Sequence, residues 1–188
     1  MREISADIIK KALEGEMGAF EEIYKAYSPI VYTLALGITR NSHDAQEAAQ
    51  DVFVKVFRSL KDFAYRSSFG TWVYRIAVNT SINMYRSGVR KNKVLTSIDY
   101  AQDMPDTSGA GPDAEAGKGE AKKLVDKILE NLSQEHRICI ILRELEGLDY
   151  KEMADVMGVP INTVRSRLKR AREAMIEYCR DKEVSYEL

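Results

Sequence analysis

Residues 149–170 read DYKEMADVMGVPINTVRSRLKR. The stretch divides at Gly158 into two short helical patterns joined by a tight turn. Glycine suits that point because the chain must leave one helix and reverse through positive φ. Asp149 and Glu152, three residues apart, have the spacing of a capping box, with Asp in place of the usual Ser or Thr. Beyond the turn, Ile161, Val164, Leu168, Ala171 and Met175 recur at helical spacing and predict one apolar stripe. The opposite face carries Asn162, Ser166, Lys169 and Arg170, flanked by Arg165 and Arg167. Five of the eight residues from Arg165 to Arg172 are basic and none is acidic.

A helix with a buried side and a cationic side meets the needs of the DNA major groove. Arg pairs bidentately with guanine edges, and Asn or Ser reaches bases or phosphates. Two helices about a tight turn, the second of them reading, form a helix-turn-helix. An ordinary amphipathic helix with a solvated face is the plainer reading. Such faces usually mix both signs, because Glu and Lys four residues apart support each other. Here the acids are missing.

The 188 residues suffice for one domain or two small ones. The net charge of −1 conceals strong segregation. Four bases and no acid lie between Arg86 and Lys93, whereas six acids and one base lie between Ser97 and Glu120. The local patches, rather than the pI near 6.2, decide whether nucleic acid binds. Cys139 and Cys179 are the only cysteines, and with His43 and His136 they have no metal-ligand spacing. They read as buried free thiols of a reducing compartment. No metal or cofactor is expected. No stretch approaches the ~18–20 apolar residues of a membrane span, so a cytoplasmic protein without membrane insertion is expected.

Upstream, Ile4–Leu13 predicts a first short helix ending at Gly15 or Gly18. Phe20 to Ala35 then follows a helical period, with Pro29 as a kink or break. Gly37–Ser42 reads as a turn, with Ser42 or Asp44 capping the next helix. On that helix, Asp44–Leu60, alanines and valines line one side. Glu47, Gln50, Asp51 and Val54 line the other, beside Phe57. An acidic face with exposed apolar groups suits docking on a basic protein; a solvated face that happens to hold one valine accounts for it equally well. Lys61–Ser68 reads as a loop.

A helix is then predicted over Phe69–Lys91. Trp72, Val73, Ile76 and Ala77 form its buried stripe, and Arg75, Asn79, Asn83 and Arg86 share a polar one. Phe63, Tyr65, Phe69, Tyr74 and Tyr85 lie close by in sequence. Basic groups contact phosphates, amides read base edges and aromatics stack on unpaired bases; the plainer reading puts most of the aromatics, and Trp72 above all, in the core, whereas the polar stripe and the Arg86–Lys93 run are harder to assign to packing. Residues 93–119 hold Pro105, Pro112 and four glycines and read as a linker. Its roughly 27 residues span about 28 Å as a coil and about 90 Å at full stretch, enough to tether two domains on separate DNA segments. A second helical unit begins near Glu120. In it Ser133 caps a helix whose core face is Ile138, Ile141, Leu142 and Leu145, and Gly147 closes that helix. Each buried Leu or Ile contributes about 1.5–3 kcal/mol, so this unit has enough apolar area to fold alone.

Two stretches carry a family resemblance. DAQEAAQDVFVKVFRSL with SSFGTWVYRIAVNTSINMYR resembles region 2 of bacterial RNA polymerase sigma factors. LSQEHRICIILRELEGLDYKEMADVMGVPINTVRSRLKRAREAM resembles region 4. Their order, the acidic linker and the short chain resemble the extracytoplasmic-function (ECF) class. The resemblance implies an all-α fold of two small helical domains, a region 2 bundle (1–92) and a region 4 helix-turn-helix (120–188), joined by a flexible acidic linker (93–119). It implies a transcription initiation factor and no catalytic residue. Glu47, Gln50 and Asp51 would dock on the clamp coiled coil of the largest subunit of core RNA polymerase. Asn79 and Asn83, with the loop before Phe69, would recognise the minus-10 element and capture a flipped base, with Arg75 and Arg86 on the backbone. Arg165, Ser166, Lys169 and Arg170 would read the minus-35 duplex of promoter DNA, and the apolar part of the second domain would sit on the polymerase flap. An anti-sigma factor is a further partner of this class. Asn83 departs from the Asp of many members, which bears on minus-10 preference and not on the class.

Two rivals are a DNA-binding regulator that acts without polymerase and an enzyme. The first leaves the acidic helix and the two-domain layout unexplained. For the second there is no phosphate loop, metal pair or nucleophile elbow.

Overall fold

The structure is a computed structural model that describes residues 4–96, 124–125 and 127–181. The described residues are almost entirely helical, with no strand among them. The predicted linker, from residue 97 on, lies outside them.

Helix α1 (Ala6–Leu13) starts at Ser5, whose side chain accepts from the Ile8 amide, and Gly15 turns the chain out at φ 94°. Helix α2 (Met17–Thr39) is a single unbroken helix through Pro29. The proline and Lys25, whose carbonyl faces a residue without an N–H, are both exposed, so the break falls on the outer side of the helix. Ile23, Tyr27, Val31 and Leu34 hold the helix to the core on its other side. The predicted turn at Gly37–Ser42 shrinks to Arg40 and Asn41, because α2 runs on past Gly37. Arg40 ends α2 in the left-handed region, φ 59°, where glycine is usual. Helix α3 (Ser42–Ser59) is capped by Asn41, whose Oδ1 accepts from the Asp44 amide at 3.0 Å, and not by Ser42 or Asp44. Ala45 and Ala48 are fully buried against Ala35, the close approach their size permits.

A 3-10 turn (Leu60–Asp62) and a short loop lead into α4 (Phe69–Thr96). The Ser68 Oγ accepts from the Thr71 amide and starts that helix. Trp72 is core, as are Phe63, Phe69 and Tyr74, whereas Tyr65 and Tyr85 are exposed.

In the second unit, residues 124–125 and 127–130 are helical. Ser133 caps α5 (Gln134–Ile140) as predicted, accepting from the His136 amide. The helix then widens into a π-turn (Ile141–Leu145), with the Glu146 amide bonding to the Ile141 carbonyl. The extra residue rotates the face. Ile138, Ile141 and Leu142 are buried, but Leu145, expected beside them, is 56% exposed. Gly147 reverses the chain at φ 68°. Helices α6 (Tyr150–Met157) and α7 (Ile161–Asp181) follow. The two units do not stand apart: one continuous core runs from Ile23 and Tyr74 through Ile141 and Leu142 to Met153 and Leu168.

Candidate nucleic-acid and polymerase interfaces

The helix-turn-helix forms as its residues dictate. Asp149 accepts from the Lys151 and Glu152 amides, and the Glu152 carboxylate accepts in return from the Asp149 amide at 2.9 Å. Gly158 ends α6 at φ 64°. Along α7, Val164, Leu168 and Ala171 are buried and Met175 packs beside them; Ile161, the first residue of the predicted stripe, is exposed. Arg165, Ser166, Lys169 and Arg170 are all exposed on the opposite face. Ser166 donates back to the Thr163 carbonyl, and Arg165 lies over the Tyr150 ring, 5.9 Å from its centre. Lys169 makes a loose exposed pair with Glu173 at 3.8 Å. Arg172 is tied to Glu144 at 2.7 Å, and Arg167 is half-buried. The cationic face therefore narrows to Arg165, Lys169 and Arg170.

On α4, Arg75, Asn79, Asn83 and Arg86 are exposed along one stripe, as the spacing predicts. At the N-terminal end of this helix the loop holds Tyr65 in the left-handed region, φ 54°, with its ring 4.6 Å from that of Phe63 and tilted 48° to it. A non-glycine residue held there marks a conformation that its surroundings impose. Tyr65, Phe63, Phe69, Tyr27 and Ile9 line a cleft of about 220 Å³, together with Ser67 and Ser68. The sequence pointed to this loop, and the backbone strain and the cleft are visible only in three dimensions.

The third surface is the outer face of α3. Glu47, Gln50 and Asp51 are exposed one turn apart, continued by Val54 and Phe57 at 46% and 51% exposure. The neighbouring turn of α2 adds Tyr24, also exposed, and Phe20, whose ring meets Phe57 edge-on. The sequence places both in the helical period that runs from Phe20 to Ala35, but Tyr24 lies off the buried line of Ile23, Tyr27 and Val31 and is exposed, and Phe20 is only partly buried. His43, Asp44 and Glu47 bring one ligand atom each within 4.8 Å of one another, an open group of the kind common on exposed acidic helix turns.

Residues 23–91 match the family described as Sigma-70 region 2, and residues 122–175 that described as Sigma-70, region 4. The chain is 31% identical over 179 residues to the RNA polymerase sigma-H factor of Pseudomonas aeruginosa, covering 93% of each. It is 34% identical over 178 residues to the ECF RNA polymerase sigma-E factor of Haemophilus influenzae, covering 90% of this chain and 92% of that one. To the sigma-E factor of Escherichia coli it is 33% identical over 174 residues, covering 89% and 90%. Among solved structures, CnrH in complex with the cytosolic domain of CnrY shares the fold with a TM-score of 0.66 at 22% identity, covering 93% of this chain and 96% of that one. RpoE in complex with the anti-sigma factor NepR from Bartonella quintana shares it at 0.64 and 23%, covering 84% and 94%. The chain thus belongs to the sigma-70 family as an ECF sigma factor, and directs RNA polymerase to promoters in transcription initiation.

Proposed function

We propose that the three exposed faces divide the work of initiation. Glu47, Gln50 and Asp51, extended by Val54, Phe57 and Tyr24, dock on the clamp coiled coil of the polymerase largest subunit. Their exposure, acidity and apolar rim fit a basic protein surface. The apolar part of the second domain sits on the polymerase flap. Asn79 and Asn83, with the Tyr65 loop, read the minus-10 element and take a base flipped out of the stack, while Arg75 and Arg86 hold backbone. Arg165, Ser166, Lys169 and Arg170 read the minus-35 duplex. The chemistry of RNA synthesis belongs to the polymerase, and no residue here is catalytic.

The observation that carries this reading is α7 itself: Val164, Leu168 and Ala171 are buried, and behind them lies an exposed face where bases predominate. An anti-sigma factor is a further partner, a reading supported by the likeness to RpoE, which was solved with one. The protein works in the cytoplasm, where promoters and polymerase are. No helix of the described residues is long and apolar enough to cross a membrane.

Permanganate footprinting tests the division of labour. With core polymerase present, unpaired thymines are expected in a patch at the minus-10 element, and Asn79→Ala with Asn83→Ala should abolish that patch while minus-35 protection persists. A duplex that stays intact in the presence of core polymerase would overturn it.

A further inference from the structure

We propose that the cleft between Arg40 and Arg137 is a binding site for a small phosphorylated ligand, which places one phosphoryl group against the two guanidinium groups. None of its residues belongs to the three faces assigned above.

Two cations meet there without a carboxylate. Arg40, which ends α2, donates to the Glu130 carbonyl and, at 3.4 Å, to that of Leu132. Arg137, on α5, donates to the Leu132 carbonyl at 2.8 Å and to that of Glu130 at 3.5 Å. Both side chains end on the same two carbonyls, which sets the guanidinium groups side by side. Like charges so placed repel. Backbone carbonyls satisfy donors but carry no net charge. Among the described residues neither arginine forms an ion pair with an acid; Glu130 is exposed and lends them its carbonyl, not its carboxylate. Arg137 is 3% exposed, and a charge buried that far is ordinarily paired. Burial first, and then Arg40 beside it, lower the Arg137 pKa to about 10, with Glu130 and Tyr85 acting in the opposite sense.

The surroundings select an anion. The two arginines line a cleft of about 140 Å³ together with Tyr85, Ser133 and Gln134, and no carboxylate lines it. Arg137 is held rigidly, since Leu129 and Gly37 also accept from it. Arg40 uses Nη2 alone, so its Nε and Nη1 donors have no partner among the described residues, and neither has the Tyr85 hydroxyl. The Ser133 hydroxyl accepts from the His136 amide and keeps its own proton to donate. One buried guanidinium that cannot move, beside an exposed one with free donors, suits the fork geometry by which arginine binds phosphate.

Size narrows the ligand. Pockets for drug-sized molecules run to about 300–1,000 Å³. This cleft is smaller and takes a single phosphoryl group, not a nucleoside. That group comes from inorganic phosphate or from the end of a nucleotide whose base lies outside, on the Tyr85 ring, which is 39% exposed.

Isothermal titration calorimetry on the full-length protein tests the site, with sodium phosphate, GDP and sodium chloride compared at matched ionic strength. Phosphate, GDP or both should bind saturably, one per chain, where chloride does not. Arg40→Gln should weaken that binding about tenfold or more. The change removes an exposed side chain and leaves the core untouched. Should Arg40→Gln lose its helical circular dichroism, Arg40→Lys takes its place: it keeps the charge without the fork, and should weaken binding in the same direction. GDP tighter than phosphate identifies a nucleotide as the source of the group; phosphate at least as tight as GDP identifies the free ion. Phosphate and GDP that both behave as chloride does, or binding unchanged in the folded Arg40 variant, overturn the site.

Discussion

Arg172 on α7 donates to the carboxylate of Glu144 on the π-turn at 2.7 Å. One of five neighbouring basic side chains is thereby engaged within the protein and faces away from the DNA-reading surface. Arg170→Ala should cost about 1–3 kcal/mol at a single base position if Arg170 touches a base, or act uniformly across sequences if it touches phosphate. Arg172→Ala should change minus-35 affinity by less than about 0.5 kcal/mol, the scale of an exposed ion pair. Fluorescence anisotropy on duplex variants checks both, and an Arg172 effect as large as that of Arg170 would contradict the assignment.

The reciprocal bonds of Asp149 and Glu152 start the first helix of the helix-turn-helix. Asp149→Ala should destabilise the protein by about 1 kcal/mol. Urea unfolding followed by circular dichroism reads this as a lower midpoint at an unchanged slope.

Leu142 and Leu145 stand three residues apart but in opposite surroundings, fully buried and 56% exposed. Leu142→Ala should cost about 2–5 kcal/mol. Leu145→Ala should stay within about 0.5 kcal/mol. Equal costs in denaturant unfolding would mean that the π-turn is an ordinary helical turn.

Cys139 is fully buried beside the Met157 sulfur, and burial raises its thiol from 9.0 to about 11. Since the thiolate is the reactive form, Cys139 should resist iodoacetamide at pH 8 in the native protein, while half-buried Cys179 reacts first. The sign for stability follows from the same burial. Below about pH 9 the thiol is protonated in both states; between about 9 and 11 only the unfolded chain releases its proton, so the contribution of Cys139 falls across that window.

Local chemistry explains which parts of this fold were legible in sequence. The capping box, Gly158 and the α7 stripe follow from neighbouring residues, and the structure matches them nearly one for one; Ile161 departs, 38% exposed at the first position of α7 while Val164 is buried. The Asn79–Asn83 and Glu47–Asp51 faces were legible as periodicity, since exposure on a helix is set by its own spacing. The misses are tertiary. Pro29 does not break α2, because it lies on the exposed face while Ile23, Tyr27, Val31 and Leu34 pack the opposite one into the core. Gly37 was read as a turn residue, when its small size serves an approach from 104 residues downstream, by Ile141. Leu145 left the core because a single π-turn shifts the period, which no spacing rule at 3.6 residues anticipates. Cys179 is half-buried because the described part of α7 extends beyond the core. The contact between the two units rests in part on side chain to backbone bonds, from Arg137 to Gly37 and from Gln134 to Ile38, and backbone carbonyls leave no trace in a sequence.

The central claim is that the acidic face of α3 brings polymerase to a promoter chosen by this chain. The direct measurement is run-off transcription with purified core polymerase on a promoter library, comparing the wild type with Asp51→Lys. Discrete start sites are expected with the wild type, sharing common minus-10 and minus-35 elements, and their loss with Asp51→Lys should track a matching loss of polymerase binding in a pull-down. Transcripts unchanged by Asp51→Lys, or no start site with the wild type, would contradict the account.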